Sequence, residues 1–593
     1  MGEAHGGGVM AQSKNRQGNP WDFLAEFKGT EFSGEWPTIP QMFDITCKRY
    51  PENRCFTAFS PKELTLTYSE VHEKVLQLAD YLVESGVGPD SKVAVTGKNS
   101  PEWAVAYLAI LYAGAVVVPL DYQLTNGEID FLMKFAGVKI LFVDAERIDA
   151  IDTDGKVGLE QKISLETGHD DYIFTKKAGR KQQRKEAGEE DLAAILFTSG
   201  TTGNPKGVML THSNLVSDCY LAQAHMTLYP TDVFYALLPI HHSYTMLAVF
   251  IEAISVGAEI VFGKKLIVTQ ILKELKLGKV TMFLAVPMLF NKMLKGLMNG
   301  IREKGIVVYG LIRFLMGVSG LIKKVFKVNP GHKMFNGILA KLSMDNIRIC
   351  ISGGGPLPSS TFKMFNQLGI DFVQGYGLTE TSPIITLNPV YAYNENSVGK
   401  ILPRTEMKIL DPDSRKIGEI AVKGPMVMKG YYKNQEATDE VLDKDGWLHT
   451  GDAGYIDGNR YVYLTGRKKS LIVTEGGKNV FPEEIEDLFQ LYDEVEQICV
   501  LGYLIDKKSK SEGIRAVIHP SEKYVEEMTK QYSDAPKRAE AIMGHMQEVV
   551  DKVNKEMLPY KRITRLTIAD EPLEMTSTKK IKRHVVAEVY KDR

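Results

Sequence analysis

Along the chain, stretches with apolar residues at helical spacing are followed by short, wholly apolar runs: YSEVHEKVLQLADYLVESG then KVAVTG, EIDFLMKFAG then KILFVD, VTQILKELKLGK then VTMFLAV. Repeated helix-then-strand pairs predict an α/β architecture, whose buried parallel strands are apolar on both faces. The Gly or Gly-Val after each helical stretch predicts a stop before the strand. Sheets of this class hold ligands at the carboxyl ends of their strands.

Residues 103–120, WAVAYLAILYAGAVVVPL, carry no charge and reach the length of about 18 residues that a membrane span needs. Gly114 and Pro119 divide the run, which therefore predicts a buried helix over 103–112 and a buried strand over 115–118. Residues 176–191, KKAGRKQQRKEAGEED, are too polar to pack and predict a solvated surface loop. From Ile401 the pattern changes to short alternating strands and Gly/Asp turns, as in an antiparallel β unit. From about Lys468, SLIVTEGGKNVFP, EEIEDLFQLYDEV and EQICVLGYLI return to α/β spacing and predict a small C-terminal domain.

At 593 residues the chain exceeds one hydrophobic core, so several packed units are expected. With 44% hydrophobic residues, 25% charged and a net charge of −2, it has no global pull toward nucleic acid. Five cysteines without a CxxC predict a reducing, cytoplasmic setting. Residues 1–20 lack an apolar core of signal-peptide length, and Gly6 stands where a myristoylation signal would want Ser or Thr, so a flexible tail is expected there.

The candidate chemistry begins at LFTSGTTGNPKGVMLTH. An apolar run breaks into Thr198, Ser199, Gly200, Thr201, Thr202 and Gly203, closed by Lys206, which together offer exposed backbone N–H groups, four hydroxyls and one ammonium to an anion. A Walker loop would need Gly before the lysine and Ser or Thr after it, whereas Lys206 lies between Pro205 and Gly207. TSGTTGNPKG resembles the signature of the acyl-adenylate-forming superfamily, which includes acyl-CoA ligases, peptide-synthetase adenylation domains and firefly-type luciferases.

Other segments match in order from about Thr67 to Arg583. QGYGLTETSP resembles the second nucleotide element, beginning with Gln374 and Gly375; the resemblance gives Tyr376 the adenine face, Gly377 the adjoining turn, Thr379 an α-phosphate contact and Glu380 a Mg²⁺ ligand, with Thr201 as second metal ligand. ISGGGPLP supplies Gly353, Gly354, Gly355 and Pro356 for the adenine and acyl pockets, while Asp452 and Arg467 match the ribose contacts. MTSTKKIKRHV resembles the catalytic-lysine element. Lys579 occupies the usual glycine position, which makes Lys580, with Arg583, the match.

The closest resemblance is to AMP-forming long-chain fatty acid–CoA ligases, carried by LPIHHSYTM and VPMLFNKM. It implies an acyl and CoA tunnel at His242, Tyr244, Val286, Gly476 and Gly477, and a hinge at Lys469 about which the C-terminal domain swings between two half-reactions. His242 keeps three readings, as core histidine, thiol base or gate beside the acyl carbonyl; the gate is favoured because the family often has there an aromatic that accepts no proton.

The implied fold is α/β, with a large N-terminal region over 21–465 (two α/β layers plus a distorted antiparallel β unit) and a mobile α+β C-terminal domain over 466–593. The implied substrates are ATP with Mg²⁺, a long-chain fatty acid and coenzyme A; a carrier-protein thiol, a luciferase-like oxygenase and a non-catalytic relative are the alternatives. Residues 293–328 carry apolar runs between lysines and arginines, which fit either an amphipathic surface on anionic lipid at the inner face of a membrane or a cap over the acyl tunnel. Whether the chain forms a homodimer is left open.

Overall fold

The structure, a computed structural model, describes residues 18–153, 155–198, 205–264, 267–474, 478–506, 511–576 and 580–591. The tail over 1–17, the loop calls Ser199, Gly200, Thr201, Thr202 and Gly203, the tunnel glycines Gly476 and Gly477, and Lys579 lie outside the described residues.

Among the described residues, four sheets organise the chain. The largest has a parallel centre of Arg54–Ala58, Glu259–Phe262, Val233–Ala236, Met282–Ala285, Ile349–Ser352 and Asp371–Gly377. Antiparallel strands Leu64–Thr67 at one edge and Ile384–Leu387 with Lys400–Ile401 at the other complete it. A second sheet runs parallel through Gln161–Ser164, Ile140–Val143, Lys92–Thr96, Val116–Leu120 and Leu192–Thr198, then antiparallel through Lys206–Thr211 and Gly430–Tyr431.

The apolar run over 103–120 forms the seal between these two sheets. Ser100 caps the helix Pro101–Tyr112 by accepting from the Trp103 N–H, and proline occupies the first turn, where its missing N–H costs nothing. All twelve helical residues are buried, as a helix apolar all round should be. Trp103 stacks on Tyr107 at 5.5 Å between ring centres, and both meet the edge of Phe250. The strand that follows runs over Val116–Leu120, further than the predicted 115–118. Pairing with Leu192–Thr198 is recorded at Val117↔Ala194, so Pro119 lies beyond that ladder and breaks no bond in it.

The predicted helices form as Tyr68–Glu84, Asn126–Ala136 and Val268–Leu277. Thr67 with Glu70 and Thr125 with Glu128 make capping boxes at the first two. Gly137 stops Asn126–Ala136 in the left-handed region at φ 76°. At Val268–Leu277 the glycine serves otherwise: Gly278 is right-handed, the positive φ falls on Lys279, and a Cβ on Gly278 would come within 2.9 Å of Val261. Close packing of helix end on strand is the reason for that glycine.

The loop over 176–191 is irregular, as expected, but it is not simply solvated. Arg184 pairs with Asp80 at 3.6 Å, both largely buried, Gly179 donates to Glu84, and the Lys185 carbonyl sits where a Cβ on Gly114 would be. The polar stretch is pinned because two helix surfaces supply acids and a glycine for it.

The antiparallel unit is the sheet Glu406–Leu410, Gly418–Lys423, Leu448–Ile456 and Val462–Arg467. Beyond it, Ser511–Pro520 is flanked by Val495–Asp506, Ile472–Thr474 and Arg565–Ile568, a mixed sheet whose core takes Ile485 and Phe489 from one helix and Met546 and Val550 from another. The architecture is therefore α/β with an α+β C-terminal portion. Within the stretch 293–328, the helix Pro287–Arg302 buries Phe290, Met293 and Leu297 against the large sheet, and the helix Ile306–Phe326 lies outside it.

Candidate active site

Strands Leu192–Thr198 and Lys206–Thr211 form an antiparallel pair with Thr198 opposite Lys206. Gly207 is glycine because a Cβ there would press on Ile195, Phe197 and Tyr432 at 3.0–3.3 Å. Strand Gly430–Tyr431 adds to the edge of this pair, Tyr431 opposite Val208. That pairing sets Tyr431 between two predicted site residues: Lys206 Nζ is 4.8 Å from its ring centre, and its hydroxyl donates to Glu380 Oε1 at 2.8 Å.

Glu380 sits in the turn Thr379–Thr381 that follows strand Asp371–Gly377, and its carbonyl is held by the Met428 N–H. Thr379 Oγ1 lies 3.1 Å from Ser243 Oγ. Just before the turn, Gly377 allows no side chain, since a Cβ would be 1.6 Å from the Pro383 carbonyl oxygen. Gln374 is buried opposite Ser352 in the parallel ladder, and Gly375 meets Leu387 across the antiparallel one.

The Tyr376 hydroxyl donates to Asp452 Oδ2 at 2.8 Å, while Arg467 Nε pairs with Asp452 Oδ1 at 2.8 Å. Asp452 and Arg467 are register partners on adjacent strands, and the Thr450 hydroxyl accepts from the Asp452 N–H. Burial pushes the Asp452 carboxyl above its usual range, with Arg467, the Tyr376 hydroxyl and Lys580 pulling it down. The neighbouring phenol is raised by burial and then by Asp452, so it remains a donor.

Gly353, Gly354 and Gly355 follow strand Ile349–Ser352 at its carboxyl end. A Cβ on Gly353 would be 2.8 Å from the Tyr244 ring, whose hydroxyl donates to the Ile351 carbonyl; Gly354 is left-handed at φ 77°. Gly355 faces Pro287, the residue after Val286 at the start of helix Pro287–Arg302. Pro356 offers its carbonyl to Gln490 at 3.4 Å.

His242 begins the turn Ser243–Thr245. Burial, then His241 and Lys580, hold its imidazole down at about 3, so it is neutral at physiological pH. Its Nδ1 is buried and has no hydrogen-bond partner among the described residues.

Lys580 reaches these residues from the C-terminal portion. The Thr576 N–H donates to the Lys580 carbonyl, the Lys580 N–H donates to the Thr576 hydroxyl at 3.1 Å, and a bridge between Met575 and Ile581 closes the turn. As a residue Lys580 is exposed at an open cleft, yet removal of its ammonium from solvent is the largest influence on it and lowers its pKa. Arg467 lowers it further, while Asp452 and Glu380 draw it back up. Arg583 clamps the segment from behind: it takes Glu486 with both nitrogens at 2.7 and 2.9 Å and Glu483 at 3.1 Å.

Hydrogen bonds, an ion pair and electrostatic coupling thus bring the predicted Lys206, Tyr376, Thr379, Glu380, Asp452, Arg467, Lys580 and His242 into one cluster, with Tyr376 at the carboxyl end of the parallel-paired strand Asp371–Gly377. Lys469 lies in the exposed turn Lys468–Ser470, immediately past Arg467. Tyr431, Ser243 and Thr450 join the site without having been read from the sequence. Among the described residues no three His, Cys, Asp or Glu side chains gather into a metal cage. Glu380, a single carboxylate that shares Tyr431 with the Lys206 ammonium, has the oxygen chemistry that fits Mg²⁺ shared with phosphate oxygens.

The family model for AMP-binding enzymes matches residues 43–432. The long-chain-fatty-acid–CoA ligase of Bacillus subtilis (strain 168) is 27% identical over 84% of this chain and 88% of its own length. The chloroplastic long-chain-fatty-acid–[acyl-carrier-protein] ligase AEE15 of Arabidopsis thaliana is 26% identical over 98% of this chain and 90% of its own. Among solved structures, ATP-bound MatB from Rhodopseudomonas palustris superposes with a TM-score of 0.73 at 26% identity, covering 94% of this chain and 99% of that one. The fold, the order of the nucleotide elements and these similarities lead to one conclusion: the chain belongs to the AMP-binding enzyme family and is an adenylate-forming acid–thiol ligase.

Proposed function

We propose that the enzyme activates a long-chain fatty acid with ATP and Mg²⁺ to acyl-AMP and passes the acyl group to coenzyme A in the cytoplasm, releasing AMP and pyrophosphate. The observation that carries this reading is the convergence of Lys206, Glu380 and Lys580 around the Tyr376–Asp452–Arg467 cluster. The similarity to the Bacillus subtilis ligase supports the acid and the thiol.

Carboxylate and triphosphate repel: two unit charges 4 Å apart cost about 4 kcal/mol at an effective dielectric near 20. Lys206, on the hairpin, offsets charge on the β- and γ-phosphates. Lys580 bridges the attacking carboxylate and the α-phosphate, so that pyrophosphate leaves as the acyl–phosphate bond forms. Mg²⁺ bound at Glu380 would supply further charge neutralisation of the phosphates. Tyr376 presents its ring to adenine, and Asp452 with Arg467 takes the ribose hydroxyls.

In the second half-reaction the thiol attacks the mixed anhydride and expels AMP. A histidine whose pKa lies near 3 takes no proton from a thiol at neutral pH, which favours the gate role for His242. Rotation about Lys469, just inside the 466–593 portion, would withdraw Lys580. Among the described residues, polar contacts opposing it include Lys292 with Glu496 at 2.9 Å, Lys295 with Asp493, Asn291 with Gln490, and Gln490 with the Pro356 carbonyl. Exposed pairs of this kind contribute about 0–1 kcal/mol each, a low barrier to domain rotation.

A second reading, transfer to the phosphopantetheine of a carrier protein, is favoured by the similarity to the Arabidopsis enzyme across 98% of this chain. AMP release measured over acids of increasing length, with CoA and with holo-carrier in competition, tests both. Preference for short or aromatic acids overturns the long-chain assignment, and preference for the carrier overturns CoA.

A further inference from the structure

The helix Ile306–Phe326 is long and apolar enough to cross a membrane, yet only Met316, Ser319 and Lys323 along it are buried. These three lie on one side, and that side is fixed in protein. Lys323 Nζ pairs with Asp371, at the start of strand Asp371–Gly377, at 2.6 Å and bonds Asn366, on the helix Ser359–Gln367, at 2.7 Å. A helix so anchored cannot span a bilayer, because its inner face belongs to the globular body.

On the opposite side Val307, Leu311, Phe314, Leu321 and Val325 are between 58% and 80% exposed. Their spacing of four, three, seven and four residues keeps them on a single stripe, with Val318 filling the gap. The stripe runs the length of a helix of about 30 Å at 1.5 Å per residue. Phe326 at the last helical position, and Val328 and Met334 beyond it, are exposed as well. An apolar surface of this extent is a binding surface in a soluble protein.

Charge selects the occupant. Residues 304–344 contain seven lysines and arginines and no Asp or Glu, in a chain whose totals are 72 basic and 74 acidic. Arg313 and Lys324 stand exposed on one flank of the stripe, with Lys327 at its end. A second copy of this chain would set that cationic flank against its own kind. An acidic protein would answer the charge, but would have to supply an apolar groove as long as the helix. A bilayer bearing anionic lipid supplies both, a continuous apolar phase and a negative rim.

We infer that this helix docks the enzyme on anionic phospholipid bilayers, lying in the interface with its apolar stripe in the acyl region and Arg313, Lys324 and Lys327 among the headgroups. The helix packs on Pro287–Arg302 and Ser359–Gln367, whose first turns adjoin Val286 and Pro356 of the cleft. An acid drawn from lipid would enter one helix layer from the site. The inference stands on the stripe and its charge, and its test reads lipid binding, so it survives or falls apart from the choice of acid.

The test is flotation of the full-length protein with vesicles of mixed phosphatidylcholine and phosphatidylglycerol, against phosphatidylcholine alone. The protein should float with the mixed vesicles, and Leu311→Glu/Phe314→Glu should weaken this by about tenfold or more. Arg313→Glu/Lys324→Glu should weaken it similarly and flatten its salt dependence. Pyrophosphate exchange with a water-soluble acid should be unchanged in both, which guards against misfolding. In Phe314→Trp, brominated lipid should quench the new indole. No flotation of the parent enzyme, or undiminished flotation of Leu311→Glu/Phe314→Glu, overturns the inference. So does a double variant that splits a dimer or loses an acidic carrier protein while still floating.

Discussion

The Tyr431 hydroxyl donates to Glu380 Oε1 at 2.8 Å while Lys206 Nζ stands 4.8 Å from the centre of the Tyr431 ring, so one phenol couples the cation of the hairpin to the carboxylate beyond it. Burial and the adjoining Glu380 raise the pKa of this phenol, which keeps its proton and so keeps Glu380 oriented. Tyr431→Phe retains the ring under Lys206 and removes the hydrogen bond. A bond to a charged group is worth about 1.5–3 kcal/mol, so adenylation should slow by roughly tenfold to a hundredfold. Pyrophosphate exchange as a function of Mg²⁺ concentration checks this; a variant with parental rates at every concentration would show Tyr431 to be mere packing.

Lys580→Ala should lose pyrophosphate exchange by about 10²–10³-fold, the usual effect of removing one preorganised stabiliser of developing charge. Supplied acyl-AMP should still be converted to thioester. Equal loss in both half-reactions contradicts the assignment of Lys580 to the first alone.

Lys469→Pro fixes φ in the turn Lys468–Ser470 and should separate the half-reactions in the opposite sense. Adenylation is expected to persist while thioester formation falls. Full ligase turnover in this variant would exclude rotation about Lys469.

His212 is buried and accepts from the Ile39 N–H at 3.2 Å; burial holds its pKa down at about 4, below the ordinary imidazole value of about 6.5. The folded protein keeps it neutral, while the unfolded chain protonates it below about pH 6.5. Its contribution to stability is therefore full above pH 6.5 and is lost as pH falls toward 4, reaching about 3 kcal/mol. Asp144, raised by burial to about 6, titrates with the opposite sign, so the parent's pH profile alone is uninformative. Urea unfolding of parent and His212→Gln at pH 7.5 and pH 5 isolates the effect, with the parent losing stability relative to the variant by about 2 kcal/mol at the lower pH. An identical difference at both pH values would refute it.

Much of this site could be read from the sequence because its parts are contiguous strings. GYGLTE carries Tyr376, Thr379 and Glu380 on one strand and turn, and the run of helix–strand pairs announces the parallel sheets. Tyr431 was hidden in GYY because it earns its place through pairing with Val208, more than two hundred residues away, which no local periodicity reports. Lys323 and Lys324 were indistinguishable as a basic pair, although one is buried on Asp371 and the other faces solvent. Sidedness of a helix apolar on both faces depends on what packs against it. The polar loop over 176–191 misled for the same reason, since its partners Asp80 and Glu84 lie on a distant helix.

The carbonyl oxygen of Pro383 occupies the space a Cβ on Gly377 would need. Every codon change that replaces this glycine therefore deforms the turn bearing Thr379 and Glu380, whatever the new residue's chemistry. Mutational drift at this turn is thus channelled: replacing Tyr376 by another ring forfeits one hydrogen bond to Asp452, while its neighbour Gly377 has no tolerated exchange. A library built to alter this enzyme's acid preference gains nothing by sampling Gly377.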